Sequence, residues 1–445
     1  MDISVLGTGY LGATHAACMA ELGFSVVGVD IDEAKIAALS AGTTPFYEPG
    51  LGPILRRAMD NGRLVFTTDI SVAARATVHF IAVGTPQAKG SFAADTSAVE
   101  QVLRALVPHL EGDHVVIGKS TVPVGTAAHL QAMVDELAGD RANVEVCWNP
   151  EFLREGYAVQ DTITPDRIVL GISQPSSPAR EVVEKLYAQA LAAGTPMIVT
   201  DLATAELVKV AANAFLATKI SFINAVSEVC EAAGADVTAV ADALGHDKRI
   251  GRRFLNAGLG FGGGCLPKDI RAFMARAGEL GANEALTFLR EVDAINMRRR
   301  DHLVQVVKSV CGGSLIGQNI AVLGCAFKPH SDDVRDSPSL AVAGALSLGG
   351  AEVSVYDPQA MDNARAIFPT LHYATDTQEV LSGADCVVVA TEWPEFLELD
   401  PSEAATMVRT PRVVDGRNVI DRQAWLAAGW SVHALGRPSL EPSSS

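Results

Sequence analysis

An apolar run, Ile3 to Leu6, leads into Gly7-Thr8-Gly9-Tyr10-Leu11-Gly12 and then into a helical stretch reaching about Leu22. A second apolar run, Ser25 to Val29, ends in Asp30, 23 residues after Gly7. Strand, G-x-G-x-x-G turn, helix, strand and acid in this order predict the opening βαβ unit of a doubly wound parallel sheet. The first turn of the helix offers N–H groups to a pyrophosphate, and a carboxylate at Asp30 can hold ribose hydroxyls. No arginine stands beside Ile31-Asp32 to meet a 2′-phosphate, so the pattern favours NAD over NADP. The alternative is a domain that kept the fold and lost the cofactor.

A chain of 445 residues exceeds what one hydrophobic core serves, so two or three domains are expected. A formal net charge of −17 argues against nucleic acid as a partner. The sequence shows no uninterrupted apolar run of about 18 residues and no basic leader, which makes a cytoplasmic protein away from the membrane the expectation. Seven scattered cysteines without a C-x-x-C pair speak against a disulfide framework or a metal site, and six of them read as structural.

The strand-turn-helix rhythm continues through His79 to Val83, ending at Gly84-Thr85, and His114 to Gly118, ending at Lys119-Ser120-Thr121. Ligands bind outside the carboxyl ends of such strands, so Thr85 and Thr121 either approach the cofactor or are ordinary turn residues. Leu202 to about Ala233 reads as one helix of about 32 residues, on the order of 48 Å, long enough to join two domains. Glu206, Lys209 and Asn213 share one face of it. That face is either a solvated stripe or, given the apolar residues around it, a buried set in need of partners.

The rhythm returns at Ile320 to Leu323, Glu352 to Tyr356, Cys386 to Ala390 and Arg412 to Val414. A second Rossmann-like domain without G-x-G-x-x-G is expected, with Lys328, Arg335 and Arg417 as cations suited to a phosphorylated ligand or as plain surface charges. The expected organisation is an α/β protein of two Rossmann-like doubly wound domains, 1–200 and 301–440, joined by a central helical region, 201–300, with a disordered tail, 441–445.

Gly258-Leu259-Gly260-Phe261-Gly262-Gly263-Gly264 runs straight into Cys265 and then Leu266-Pro267-Lys268-Asp269. Pro267 suits the first turn of a helix, which puts the thiol beside unpaired N–H groups and the positive end of the dipole, where thiolate is favoured. Cys265 is therefore either a nucleophile on the floor of a tight pocket or a buried, inert core residue. Joined to an NAD fingerprint, a nucleophilic cysteine points to a four-electron oxidation in which sulfur holds an aldehyde as thiohemiacetal and then as thioester.

These segments, with Ser120-Thr121-Val122-Pro123-Val124-Gly125, Asn149-Pro150-Glu151-Phe152-Leu153-Arg154-Glu155-Gly156, Phe327-Lys328-Pro329 and Asp332-Asp333-Val334-Arg335-Asp336-Ser337-Pro338, resemble the UDP-glucose/GDP-mannose dehydrogenase family over essentially the whole chain. The resemblance implies oxidation of the C6 hydroxyl of a nucleotide sugar, UDP-glucose giving UDP-glucuronate, with GDP-mannose as the alternative, a UDP-N-acetyl-hexosamine less in keeping, and a non-catalytic nucleotide-sugar sensor as the rival class. It implies Cys265 as nucleophile, Lys209 and Asn213 at the oxyanion, Asp269 in proton transfer with Lys209, Glu151 activating water and Thr121 orienting it. NAD would be held by Gly7, Gly9, Tyr10, Leu11, Gly12, Asp30, Lys35, Thr85, Thr121 and Arg335, with Glu155 and Lys268 nearby. The sugar nucleotide would meet Glu151, Phe152, Leu153, Lys209, Asn213, Phe254, Leu255, Asn256, Gly258, Gly262, Lys328 and Arg417, with Arg249 reaching in from the second subunit of a homodimer. Gly264 departs from the pattern, since many relatives have a side chain there.

Overall fold

The computed structural model describes residues 1–442; Ser443, Ser444 and Ser445 of the expected tail lie outside them. Of the tail's first residues, Glu441 pairs with His433 at 3.5 Å. The chain forms two compact units, residues 1–212 with 271–281, and residues 213–270 with the chain from 282 onward.

In the first unit eight strands, β1 (Asp2–Leu6), β2 (Ser25–Val29), β3 (Leu64–Thr67), β4 (Val78–Ile81), β5 (Gly112–Gly118), β6 (Ala142–Trp148), β7 (Ile168–Ile172) and β8 (Met197–Asp201), lie in the order β3-β2-β1-β4-β5-β6-β7-β8. All pair in parallel except β6 with β7. Both faces are buried, and the two-residue period sorts the side chains. Val5, Phe80 and Ile117 join one core, while their neighbours Leu6, Ile81 and Val116 join the other. The strand expected over His79 to Val83 stops at Ile81.

In the second unit β9 (Asn319–Leu323), β10 (Glu352–Tyr356), β11 (His372–Tyr373), β12 (Cys386–Val389), β13 (Arg412–Asp415) and β14 (Ser431–Ala434) form a parallel sheet in the order β11-β10-β9-β12-β13-β14. The helix Leu202–Ala233 runs unbroken from one unit into the other. It is long and apolar enough to cross a membrane by length and composition, although polar and charged residues interrupt its apolar sequence. Two of its buried polar residues bond other segments: Ser221 donates to the Val292 carbonyl (2.7 Å) and Asn224 accepts from Gly258 N–H (2.9 Å).

The strand order of the second sheet matches that of the first six strands of the first, but the acids that end β2 and β10 have different surroundings. At the end of β2, Asp30 accepts from Thr8 N–H (2.7 Å), Asp32 N–H (3.1 Å) and the ammonium of Lys35 (3.0 Å). At the equivalent end of β10, Asp357 is 1% exposed and takes the N–H groups of Cys325, Ala326, Gln359 and Ala360 and the indole N–H of Trp393. Every lone pair of Asp357 is thus directed inward, which leaves no acceptor for a ribose.

A buried chain of rings crosses the first sheet. His114 Nε2 contacts the Glu111 carbonyl (3.0 Å), His114 Nδ1 contacts His79 Nε2 (3.0 Å), and His79 Nδ1 contacts the Ser4 hydroxyl (2.7 Å). A carbonyl only accepts, so His114 carries its proton on Nε2, its Nδ1 accepts from His79, and His79 accepts from Ser4. Burial, and then the neighbouring His114, push the His79 imidazole down to about 3. Below the ordinary histidine value of about 6.5 the unfolded chain takes a proton that the folded one refuses, so stability is full above that pH and falls as pH drops toward 3. We expect this ring to contribute a loss of up to about 1.4 kcal/mol per pH unit in that window, seen as a fall in urea midpoint between pH 7 and 4.5 that His79→Asn makes shallower. An equal slope in the variant would remove His79 from the account.

Candidate functional site

The N–H groups of the first helical turn, Tyr10–Glu21, lack intrahelical partners by helix geometry. Gly7 adopts φ 90°, and a Cβ at Gly12 would lie 1.8 Å from the Gly7 carbonyl, so turn and helix touch only because both are glycine. A Cβ at Gly9 would meet nothing within 4 Å. The turn therefore has an open cradle of N–H groups with Asp30 beside it, which fits a dinucleotide. Burial raises the affinity of Asp30 for a proton, but Thr8 N–H, Lys35 and Asp32 N–H outweigh it, and the carboxyl lies below its ordinary range. Lys35 is placed as the partner of Asp30 in an ion pair of 3.0 Å.

The turn after β5 is tied from several sides. Thr85 donates to the Thr121 carbonyl (2.7 Å), Ser120 to the Val83 carbonyl (2.7 Å), and the Arg276 guanidinium twice to the Val124 carbonyl (2.9 and 2.7 Å). Glu206 accepts from Gly125 N–H (2.7 Å) and Ala127 N–H (2.6 Å), capping the helix Thr126–Ala138. Glu206, Lys209 and Asn213 are all buried, so the solvated-stripe alternative fails. The three have different partners. Lys209 pairs with Glu151 at 3.1 Å and stands 5.5 Å from the Phe152 ring, and the other Glu151 oxygen accepts from Leu153 N–H (2.7 Å).

In the second unit Asn213 donates to Asp269 (2.6 Å), whose other oxygen pairs with Lys268 (2.7 Å). Asp269 is 2% exposed and its N–H bonds the Cys265 carbonyl (2.9 Å). The helix Leu266–Glu279 thus starts directly after the cysteine, with Pro267 in its first turn. Cys265 is exposed while the other six cysteines are buried. The alternative of a buried, inert core thiol is excluded.

The glycine loop before Cys265 is held by close approach. A Cβ at Gly262 would lie 2.4 Å from the Asp336 carbonyl oxygen, and one at Gly263, where φ is 80°, 2.8 Å from the Phe327 ring. Asn296 clamps Phe261 with two bonds, accepting from its N–H (2.8 Å) and donating to its carbonyl (2.9 Å). Arg417, expected as a ligand cation, donates to the carbonyls of Ala390 (2.7 Å), Gly260 (3.0 Å) and Phe327 (3.2 Å) and so braces the loop. Leu255 is 2% exposed within a cluster containing Ile223 and Val237, so only its backbone can face a ligand. Asn256 accepts from Arg252 (2.7 Å), Lys328 lies 5.3 Å from the Phe327 ring, and Gly258 N–H is taken by Asn224. Phe254 has φ 66°, a strained left-handed conformation for an aromatic residue. The Arg249 side chain is 89% exposed and bonds Asp247.

Several residues were not singled out from the sequence. Buried Glu48 takes the Tyr10 hydroxyl, Gly156 N–H (2.7 Å) and Val159 N–H (3.3 Å), joining the glycine turn to the loop that follows Glu151. Burial, and then this bond, push the Tyr10 phenol far up. Lys119 donates to Asn149 and to the Tyr187 hydroxyl (both 3.0 Å), fixing the residue two before Glu151. Neither has a sequence signal, because each is a single polar residue whose partners are distant in the chain.

An open dinucleotide cradle, a second sheet whose equivalent acid is closed, and an exposed cysteine at a helix start define an NAD-dependent oxidoreductase with a candidate thiol nucleophile. The chain belongs to the UDP-glucose/GDP-mannose dehydrogenase family: its NAD binding domain matches residues 1–191, its central domain 203–298 and its UDP binding domain 321–422. A UDP-glucose 6-dehydrogenase of Bacillus subtilis is 43% identical over 99% of this chain and 95% of its own length. One from Rhizobium meliloti is 42% identical over 98% and 100%. The structure of a UDP-glucose dehydrogenase from the archaeon Pyrobaculum islandicum superposes with a TM-score of 0.89 at 40% identity, covering 98% of each chain.

Removing the Glu206 cap leaves two helix N–H groups without their carboxylate, so Glu206→Ala is expected to lower stability by about 1–3 kcal/mol in urea unfolding. A loss under about 0.5 kcal/mol would show that water replaces the cap.

Proposed function

We propose that this chain oxidises the C6 hydroxyl of UDP-glucose to the carboxylate of UDP-glucuronate. The observation that carries the proposal is Cys265, exposed at the start of a helix and flanked by a buried Asn213–Asp269 pair. The 43% and 42% identical relatives, both UDP-glucose 6-dehydrogenases, support the choice of sugar nucleotide. NAD, when bound at the glycine turn, would accept one hydride, so two molecules bound in succession would be needed, the first for the hydride of the C6 alcohol and the second for that of the thiohemiacetal.

The chain's own groups do the rest. Lys209 and Asp269 take the proton of the C6 hydroxyl, and the Cys265 thiolate adds to the aldehyde carbon, forming a C–S bond and an oxyanion that Lys209 and Asn213 hold. Sulfur keeps the carbon as a thioester, so no aldehyde escapes. Glu151, the partner of Lys209 at 3.1 Å, takes a proton from water as it attacks, with Thr121 orienting it. The C–S bond breaks, the acid leaves and the thiolate returns. Glu155, Lys268 and Arg335 assist at the cofactor, and Phe152, Leu153, Phe254, the backbone of Leu255, Asn256, Gly258, Gly262 and Lys328 face the nucleotide sugar.

The long helix shows Phe215, Phe222 and Val229 at seven-residue steps, 66, 53 and 66% exposed. Such a stripe suits a second copy of the chain, and the solvent-exposed Arg249, bonded to Asp247 two residues away, suits a ligand on that copy. The reading is of a cytoplasmic homodimer.

Purified protein should form two NADH per UDP-glucose without free aldehyde; one NADH with aldehyde would overturn the thioester route, and oxidation of GDP-mannose alone would change the sugar nucleotide. Lys209→Ala should lower kcat by about 10²–10³, the effect of one lost oxyanion donor. Phe222→Glu should shift the sedimentation coefficient to that of a monomer, and an unchanged dimer would move the interface elsewhere.

A further inference from the structure

Gly264 stands immediately before Cys265, and a Cβ built on it would lie 2.4 Å from Cζ and 2.5 and 2.6 Å from the two Nη atoms of Arg335. Carbon atoms in contact stay about 3.5–4 Å apart, so the guanidinium rests on the glycine in space that any side chain would fill. The backbone of the same arginine holds the loop as well, accepting from Gly263 N–H at 2.9 Å. The side chain is aimed by Asp333, which takes Nε on both oxygens (2.9 Å each) and Nη2 (2.6 Å). Asp333 is itself only 10% exposed and accepts on its carbonyl from Phe327 N–H (3.1 Å), the residue whose ring covers Gly263. The carboxylate therefore occupies the Nε edge of the guanidinium, and the Cζ and Nη end meets the loop.

Consecutive Cα atoms are about 3.8 Å apart, so a cation lying on Gly264 stands within on the order of 4–8 Å of the next residue's sulfur. Around the loop, Lys268 and Asp269 pair with each other and Asp336 pairs with Arg300 at 2.8 Å. We propose that Gly264 makes room for Arg335 to lie against the nucleophile's loop, and that Arg335, aimed by Asp333, is a positioning residue that holds Cys265 as thiolate. This goes beyond the contact with NAD that the family resemblance implies for Arg335, and it rests on the reading of Cys265 as nucleophile only for its consequence in turnover.

The test is the rate of alkylation of the free protein by iodoacetamide from pH 5.5 to 9.5, with the modified residue located by mass spectrometry. The other six cysteines are buried, so Cys265 dominates the signal. An opposite charge at this range moves a pKa by about one unit or more, so Gly264→Ser and Arg335→Gln should each slow alkylation at pH 6.5 on the order of tenfold and move the midpoint upward. Arg335→Lys should recover part of the rate, and Asp333→Asn should lose part of it. The 64% exposure of the Arg335 side chain makes unfolding of its variants an unsuitable explanation, and thermal midpoints check that directly. Wild-type pH profiles in both Gly264→Ser and Arg335→Gln would overturn the proposal. If alkylated protein still makes acid, the nucleophile reading fails, while the pH profiles continue to report on Arg335.

Discussion

The arrangement around the thiol depends on a steric condition, the absence of Cβ atoms along the loop that precedes Cys265. Backbone oxygen, an aromatic ring and a guanidinium approach Gly262, Gly263 and Gly264 to distances that no side chain permits. Asn296 and Arg417 then fix the loop through its own carbonyl and N–H groups. A nucleophile must be held closely to be useful. Here rigidity comes from tight contact with the second sheet's turns, which explains why so flexible a sequence adopts one conformation.

The first unit follows the opposite plan. Its glycine turn stays open at Gly9, and the groups around it are tied from behind: Glu48 through Tyr10 and Gly156, Arg276 through Val124, Glu206 through Gly125. These anchors come from elements far apart in the chain, so the strength of the turn is a property of the packed unit. Lys119, buried beside Asn149, does the same for the residues leading to Glu151.

Much of this was legible in the sequence because periodicity and turn chemistry are local. The strands Ser25–Val29 and Glu352–Tyr356 and the helix Leu202–Ala233 fall where their apolar patterns put them. Asp30 was found by its spacing from Gly7. What sequence left open was the direction of individual side chains. Glu206 and Lys209 share a face, yet one caps a helix 79 residues upstream while the other meets Glu151. Arg417 reads as a ligand cation and serves three carbonyls, and Leu255 lies in a motif that suggests ligand contact while its side chain is core. Such outcomes depend on which distant atoms arrive nearby, and no window of sequence contains them.

Asp357 carries a lesson for anyone who would alter the chain. Its sheet has the topology of a dinucleotide site, and grafting the missing glycines into the turn after β9 looks like the obvious route to a second cofactor. The graft would fail at the carboxylate. Its oxygens are committed to four backbone N–H groups and the Trp393 indole. Re-engineering would have to begin by replacing Trp393 and loosening the Cys325–Ala326 turn, because an acceptor already saturated from within is invisible to a ribose outside.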